Sequence, residues 1–273
     1  MKSPAKNINL TSVDDLFSTE ESRADAGREK VMEIALTELF PFKDHPFKVK
    51  DDETMADTAE SIKEYGVLVP AIARPRDEGG YELVAGHRRH RASELAGLET
   101  MPVIVRNLDD DAATIIMVDS NLQRENILPS ERAFAYKMKL DAVKRQGTRT
   151  DLTFRQVGEK LNSVEELAKT TGDSGRQISR YIRLTELIPE LLDMVDDKKI
   201  AFNPAVELSY LKPEEQTNLL EAMDMEQATP SLSQAQRMKK FSAEGKCTLE
   251  AMCSIMSEEK KGELDKVTLS SDK

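Results

Sequence analysis

Tryptophan is absent from this chain, and aromatic residues of every kind fill only 5% of its 273 positions. A single large β fold fills its pleated faces with aromatic and β-branched side chains, so the shortage favours helical, modestly cored modules. Long apolar runs are missing too: nothing approaches the roughly 18 residues of a membrane span, so no transmembrane helix is expected. The opening Met1-Lys2-Ser3-Pro4-Ala5 lacks the apolar core of a secretory signal, and the expected compartment is the cytoplasm. Cysteine is scarce. Cys247 and Cys253 have no His or Cys neighbours at metal-ligand spacing and read as free thiols on a helix.

Positive charge is also in short supply, 39 Lys and Arg against 50 Asp and Glu, for a net charge of −11. Nucleic-acid binding is driven by cations meeting phosphates, so the total argues against it. The distribution reverses that argument. Residues 1–53 hold 8 basic and 12 acidic residues, and residues 213–273 hold the same numbers, which leaves only −3 in the middle. A basic face there can bind DNA while acidic ends discourage indiscriminate sticking. The length suits two domains.

The most informative stretch is Gly86-His87-Arg88-Arg89-His90-Arg91-Ala92. The alternating run Tyr81 to Ala85 predicts a strand, Gly86 a tight turn, and His87 to Leu98 a helix. Arg88, Arg89 and Arg91 then fall in the first turn, facing the positive end of the helix dipole and one another. Each such contact costs roughly 0.3–1 kcal/mol unless an anion sits among them. Backbone N–H groups at a strand–glycine–helix junction and bidentate arginines suit a phosphate; the alternative is a solvated basic helix end. Around this stretch we expect a strand within 34–50, a helix capped by Thr54 and closing at Tyr65-Gly66, and strands over Val67–Ala73 and Val103–Val105. At Ile115 to Asn126 a helix-like run ends in Ser120-Asn121-Leu122-Gln123-Arg124-Glu125-Asn126, polar groups suited to phosphate, sugar or magnesium. Taken alone, that run reads as a capped helix junction.

A second module follows. Pro129 opens a helix through Lys144, and Ser163-Val164-Glu165-Glu166 has the form of a capping box. Ala168, Gly172 and Ile178 have helix-turn-helix spacing: a small residue where two helices touch, a glycine in the turn, and an apolar anchor on the second helix. On that second helix Ile178 and Ile182 face the core, while Arg176, Arg180 and Arg183 fall on a separate face. Ser174, Arg176, Gln177, Arg180 and Arg183 are the candidates for DNA contact. The plainer reading is an amphipathic helix with a solvated basic face. Leu249, Met252, Cys253 and Met256 form one short apolar stripe that reads as local packing.

Gly86 to Ala92, Asn121 to Asn126 and the helix-turn-helix, in that order, resemble the ParB family of chromosome and plasmid partition proteins. Ser61 to Pro70 is similar to the family's first motif, and the resemblance spans roughly residues 34 to 212. It implies an α+β chain with a ParB-type α/β nucleotide-binding domain (34–127) and an all-α helix-turn-helix domain (128–228); the polar start reads as a flexible arm (1–33), and the charged end as a short helix with a disordered tail (229–273). It also implies a homodimer that binds a centromere-like, parS-type DNA site, binds CTP with magnesium, closes as a sliding clamp, and works with a ParA-type ATPase. Carried over by position, Gly86, Arg88 and Arg89 hold the triphosphate beside His87 and Arg91, while Asn121 meets magnesium and phosphate with Gln123 and Arg124 in support.

The chain departs from the family pattern at particular places. His87 and Ser120 stand where Glu is common, and both changes remove a carboxylate able to orient water or magnesium, so CTP binding with slow or absent hydrolysis is expected. Val69 stands where Gln often precedes the proline. The arm has no Leu-Gly-Arg-Gly pattern for a ParA contact, and no C-terminal zipper of three or more heptads is evident. Among rivals, the α/β domain also resembles sulfiredoxin, but that motif uses a cysteine and none precedes Cys247. A ParB-like nuclease is harder to dismiss, although no dense carboxylate cluster stands near the phosphate motif, and a magnesium-dependent cleavage test decides it. A nucleoid-occlusion or transcription-regulating relative stays open.

Overall fold

The computed structural model describes residues 30–124, 126–151 and 163–257. Most of the expected arm, all of the charged tail beyond Ser257, and Glu125 of the polar motif lie outside the described residues. The chain divides into two compact units, one built from residues up to Phe42 together with Lys50–Asn107, the other from Lys43–Val49 together with Leu108 onward.

The first unit is a mixed sheet with two helices. Its strands are β1 (Val31–Ala35), β2 (Leu39–Pro41), β3 (Ala71–Pro75), β4 (Tyr81–Ala85) and β5 (Thr100–Val105), in the order β1-β5-β3-β4-β2. β1 runs antiparallel to β5 with Ile34 opposite Met101, and β3 runs parallel to β5 with Ala71 opposite Val103. Antiparallel β3–β4 and parallel β2–β4 pairs complete the sheet. Ile34, Leu39, Ala71, Ala73, Leu83, Met101 and Val103 bury one face, each from an alternating position. Helix α1 (Glu53–Tyr65) and helix α2 (His87–Leu95) pack on each other through Met55, Ile62 and Ala92.

Two local expectations are corrected. The cap of α1 is Asp52, whose carboxylate accepts from Met55 N at 2.9 Å; Thr54 lies inside the helix and donates to that carboxylate at 2.7 Å. The carboxylate lies one residue outside the first turn, where it takes the exposed N–H better than a hydroxyl within it. The expected strand over 67–73 begins only at Ala71, and Leu68 and Val69 are 79% and 62% exposed. Pro70 has no N–H to donate to a ladder, so the apolar residues before it form a surface loop.

The second unit is helical: α3 (Asp110–Leu122), α4 (Pro129–Asp151), α5 (Ser163–Thr171), α6 (Gly175–Arg183), α7 (Pro189–Asp196), α8 (Phe202–Leu208), α9 (Pro213–Glu226), α10 (Leu232–Ala243) and α11 (Leu249–Ser257). Proline opens α7 and α9, where its missing N–H costs nothing. Glu131 is buried at the start of α4 and accepts from Leu128 N at 3.0 Å and Lys48 N at 2.7 Å, which fastens the 43–49 segment to this unit. One core joins Leu184, Leu191, Leu208 and Leu219 to Ala235, Met238, Met252 and Ile255, so α10 and α11 belong to the same packed body as α7 to α9. A second, smaller core of Tyr136, Leu140, Leu167 and Ile178 joins α4, α5 and α6. Among the described residues no helix is long and apolar enough to cross a membrane.

Candidate functional sites

Gly86 ends β4 and caps α2 with φ of +109°, a backbone that side-chain-bearing residues rarely adopt. A Cβ placed there would lie 2.9 Å from Ala71 Cβ, so the glycine is required both by its own torsion and by the passage of β3. No side chain caps α2. Its first N–H groups therefore form the type of donor set that an oxyanion satisfies.

The crowding expected of the three arginines is relieved within the chain. Arg88 donates to Thr54 Oγ1 at 2.8 Å and lies 3.7 Å from Asp52. Arg89 reaches back to the loop before β3 and donates to the carbonyls of Val69 and, at 2.8 Å, Pro70; burial lowers its guanidinium below the usual arginine value. Arg91 makes a bidentate pair with Asp51, 2.6 and 3.1 Å, and meets Glu94 at 3.1 Å. Donation to Asp51 and Glu94 pushes Arg91 upward, and the bond from Arg91 holds Asp51 below the usual carboxylate range. The physical reason for the correction is the helix itself: side chains about 100° apart fan onto different neighbours, and the acidic start of α1 packs beside α2. His87 Nε2 accepts from Phe42 N at 3.4 Å.

Beside Arg89 a cavity of about 390 Å³ is lined by Asp57, Thr58, Ser61, Gly66, Leu68 and Val69 among others. Sequence reasoning missed Thr58, and read Thr54 only as a cap and Ser61 only as part of the Ser61 to Pro70 motif, without placing them beside the arginines. Their signal was faint, since serine and threonine on an amphipathic helix read as solvent-facing.

Asn121 lies in the last turn of α3, in the second unit. Its amide donates to Met117 O at 2.9 Å, and Arg124 points its Nη1 at the Asn121 side-chain oxygen, 3.4 Å away. Ser120 donates to the same Met117 carbonyl at 2.9 Å, and Gln123 ends the helix, exposed. The side-chain oxygen of Asn121 is a hard ligand suited to magnesium, and an ion that keeps several waters and rides on nucleotide phosphates needs few protein donors. Among the described residues no group of three or more His, Cys, Asp or Glu side chains forms a metal cage.

In the helix-turn-helix, Gly172 has φ of +77° in the turn, Ile178 is fully buried, and Ala168 packs against the same core. Ser174 caps α6 by accepting from Gln177 N at 3.2 Å. The turn is braced from α4: the Tyr136 hydroxyl donates to Asp173, Arg132 stands 3.6 Å from that carboxylate, and burial followed by the Asp173 bond raises the Tyr136 phenol. Arg176 is exposed. Arg180 and Arg183 are instead fixed by α8 and the turn after it. Arg180 donates to Asn203 Oδ1 at 2.5 Å and lies 5.1 Å from the Phe202 ring; Arg183 donates to Ser209 O at 2.7 Å and lies 4.2 Å from the Tyr210 ring. The separate basic face expected of α6 therefore holds for Arg176, while its other two arginines turn toward α8. Asn203 and Tyr210 carried no signal in the sequence, because a helix start at Asn-Pro and a lone tyrosine look structural.

The same two modules are found by comparison with known families. The ParB N-terminal domain model matches residues 20–122 and the ParB HTH domain model matches residues 152–240. The chain belongs to the ParB family. Among ParB relatives it is 35% identical over 191 residues to the stage 0 sporulation protein J of Bacillus subtilis, covering 70% of this chain and 61% of that protein. It is 33% identical to the chromosome-partitioning protein Spo0J of Thermus thermophilus, covering 68% of this chain and 62% of that one, and 33% identical to a nucleoid occlusion protein of Listeria innocua, covering 70% and 61%. The chain thus matches about three-fifths of the length of these ParB relatives. A solved structure of C-terminally truncated ParB from Caulobacter crescentus, complexed to the centromeric parS site, is 25% identical with a TM-score of 0.46, covering 77% of this chain and 98% of that one.

Proposed function

We propose that this ParB-family chain is a sequence-specific DNA-binding partition protein that recognises a parS-like site and is switched by CTP and magnesium, closing as a dimeric clamp in the nucleoid. The observation that carries the reading is the uncapped, glycine-led start of α2 flanked by arginines, in a chain that also assembles a helix-turn-helix. In this reading the Gly86 turn and Arg88 receive the triphosphate, and Arg89 holds the edge of the adjoining cavity that takes the sugar and base. Arg91 steadies α1 against α2 through Asp51, and Asn121, with Gln123 and Arg124, meets magnesium and phosphate. When bound, the ion would offset phosphate charge. Ser174, Arg176 and Gln177 approach the DNA from the start of α6, with Arg180 and Arg183 oriented by α8. A ParA-type ATPase is the partner that such a clamp would use.

Two variants test the division of labour. Arg88→Ala removes a cation whose protein partners are a hydroxyl and a loosely placed carboxylate, and is expected to abolish CTP binding in calorimetry while leaving duplex binding intact. Arg180→Ala is expected to do the reverse, with a loss of specific DNA affinity of about tenfold or more, the scale of one good base or phosphate contact. Normal CTP affinity in Arg88→Ala would end the nucleotide reading. Chromatin precipitation adds the biological test: one peak with broad shoulders marks loading and spreading, whereas many sharp peaks mark a regulator.

Hydrolysis is expected to be slow. His87 accepts from a backbone N–H and Ser120 donates to its own helix, so neither supplies the carboxylate that would orient water. Phosphate release in the presence of CTP, magnesium and bound DNA should stay near background. Robust turnover would show that another group does that work. A nucleoid-occlusion role, suggested by the 33% identity to the Listeria protein, uses the same sites and differs in where the protein accumulates on the chromosome.

A further inference from the structure

Lys139, midway along α4, has a side chain only 4% exposed. Its ammonium meets the Asp119 carboxylate on α3 and, at 3.2 Å, the Thr170 hydroxyl on α5. Thr170 gives its own proton to Leu167 O at 2.9 Å, which leaves its oxygen free to accept from the lysine. A buried ammonium persists only where partners replace water, and here the partners come from two different helices. Their positions matter: Asp119 stands two residues before Asn121, and Thr170 two residues before the Gly172 turn. If either helix shifted from α4, the ammonium would lose a partner, so the last turn of α3 and the first helix of the helix-turn-helix are tied to a common post. A packed apolar side chain at 139 would fill the space without tying them.

We propose that Lys139 is a positioning residue that couples the Asn121-bearing end of α3 to the helix-turn-helix, so that nucleotide engagement and DNA engagement are communicated through it. The inference rests on the nucleotide reading above. It adds a route for regulation: a ligand that rotates the α3 end must break or carry along the Lys139 tie, and DNA that fixes α5 and α6 holds the same tie in place. Coupling of this kind is reciprocal between the two ligands.

The test uses the full chain. Affinity for CTP with magnesium is measured by calorimetry with and without a short duplex bearing the sequence enriched by chromatin precipitation, and the ratio is the coupling factor. Lys139→Met keeps length and packing but removes the charge. It should retain the wild-type melting temperature and both separate affinities, while the coupling ratio falls about fivefold, within the range that changes along a coupling route produce. Asp119→Asn should act in the same direction, and Lys139→Arg should restore most of the ratio. A wild-type ratio in Lys139→Met overturns the proposal; should that variant not fold, a wild-type ratio in Asp119→Asn does so. If the unaltered protein itself binds no CTP, the nucleotide reading has failed, and the tie is judged by hydrogen exchange alone. Lys139→Met should then speed exchange across residues 119–124 and 167–172, and unchanged exchange would overturn the tie independently.

Discussion

Gly86→Ala lowers the stability of the N-terminal unit by roughly 2–5 kcal/mol, the sum of a left-handed torsion forced on a side-chain-bearing residue and an overpacked contact. The torsion is the +109° of Gly86, and the contact is the 2.9 Å approach of the new Cβ to Ala71 Cβ. β3 is paired on both sides, with β4 and with β5, so it has little freedom to move aside. Hydrogen exchange on the full chain should show faster exchange at β3, β4 and the start of α2, together with loss of CTP affinity. The double variant Gly86→Ala/Ala71→Gly relieves the contact and leaves the torsion, so it should recover about half of the loss. Wild-type protection in the single variant would show that the turn does not need a glycine, and the phosphate cradle would lose its geometric basis.

Ile178→Ala should cost about 2–5 kcal/mol in the helical unit, as large-to-small changes in packed cores do. The side chain is fully buried among Tyr136, Leu140 and Leu167, and it is the most deeply buried of the α6 side chains, with Tyr181 and Ile182, that hold the helix on α4 and α5. Its loss should abolish specific duplex binding in an electrophoretic shift assay while leaving CTP affinity and β-sheet exchange unchanged. Ile182→Ala, at a half-buried position on the same helix, should cost less than half as much. Equal losses from the two substitutions would mean that Ile178 does not anchor the helix.

The residues show which of these features the sequence could reveal. The helix-turn-helix was legible because its determinants are local: Ala168, Gly172 and Ile178 lie within one short stretch, and each meets a requirement of the turn or of the helix contact. The Gly86 junction was legible for the same reason, as an alternating strand followed by glycine and a helix. The loop before β3 was not, because Val67-Leu68-Val69 has the apolar content of a buried strand, yet Pro70 has no donor for a ladder and Leu68 and Val69 end on the surface while Val67 stays against the core. Helix α10 was harder still, since Ala235 and Met238 are small or flexible residues whose burial depends on the facing α8.

By itself the sequence determined the family, the two kinds of module, the place of the glycine turn, and the cluster of arginines that follows it. The family follows from the resemblance of the motifs to known ones; the modules, the turn and the arginine cluster follow from residue type and spacing along the chain, which short-range sterics and periodicity make readable. Only the tertiary structure decided where the arginines point. Asp51, Thr54 and the carbonyls of Val69 and Pro70 take up Arg91, Arg88 and Arg89, and Asn203 and Ser209 take up Arg180 and Arg183. The buried tie of Lys139 to Asp119 and Thr170 was likewise invisible, because its partners lie 20 and 31 residues away. A charge in a sequence carries no mark of its partner. Folding chooses it by bringing distant elements together and removing the water that would otherwise have served.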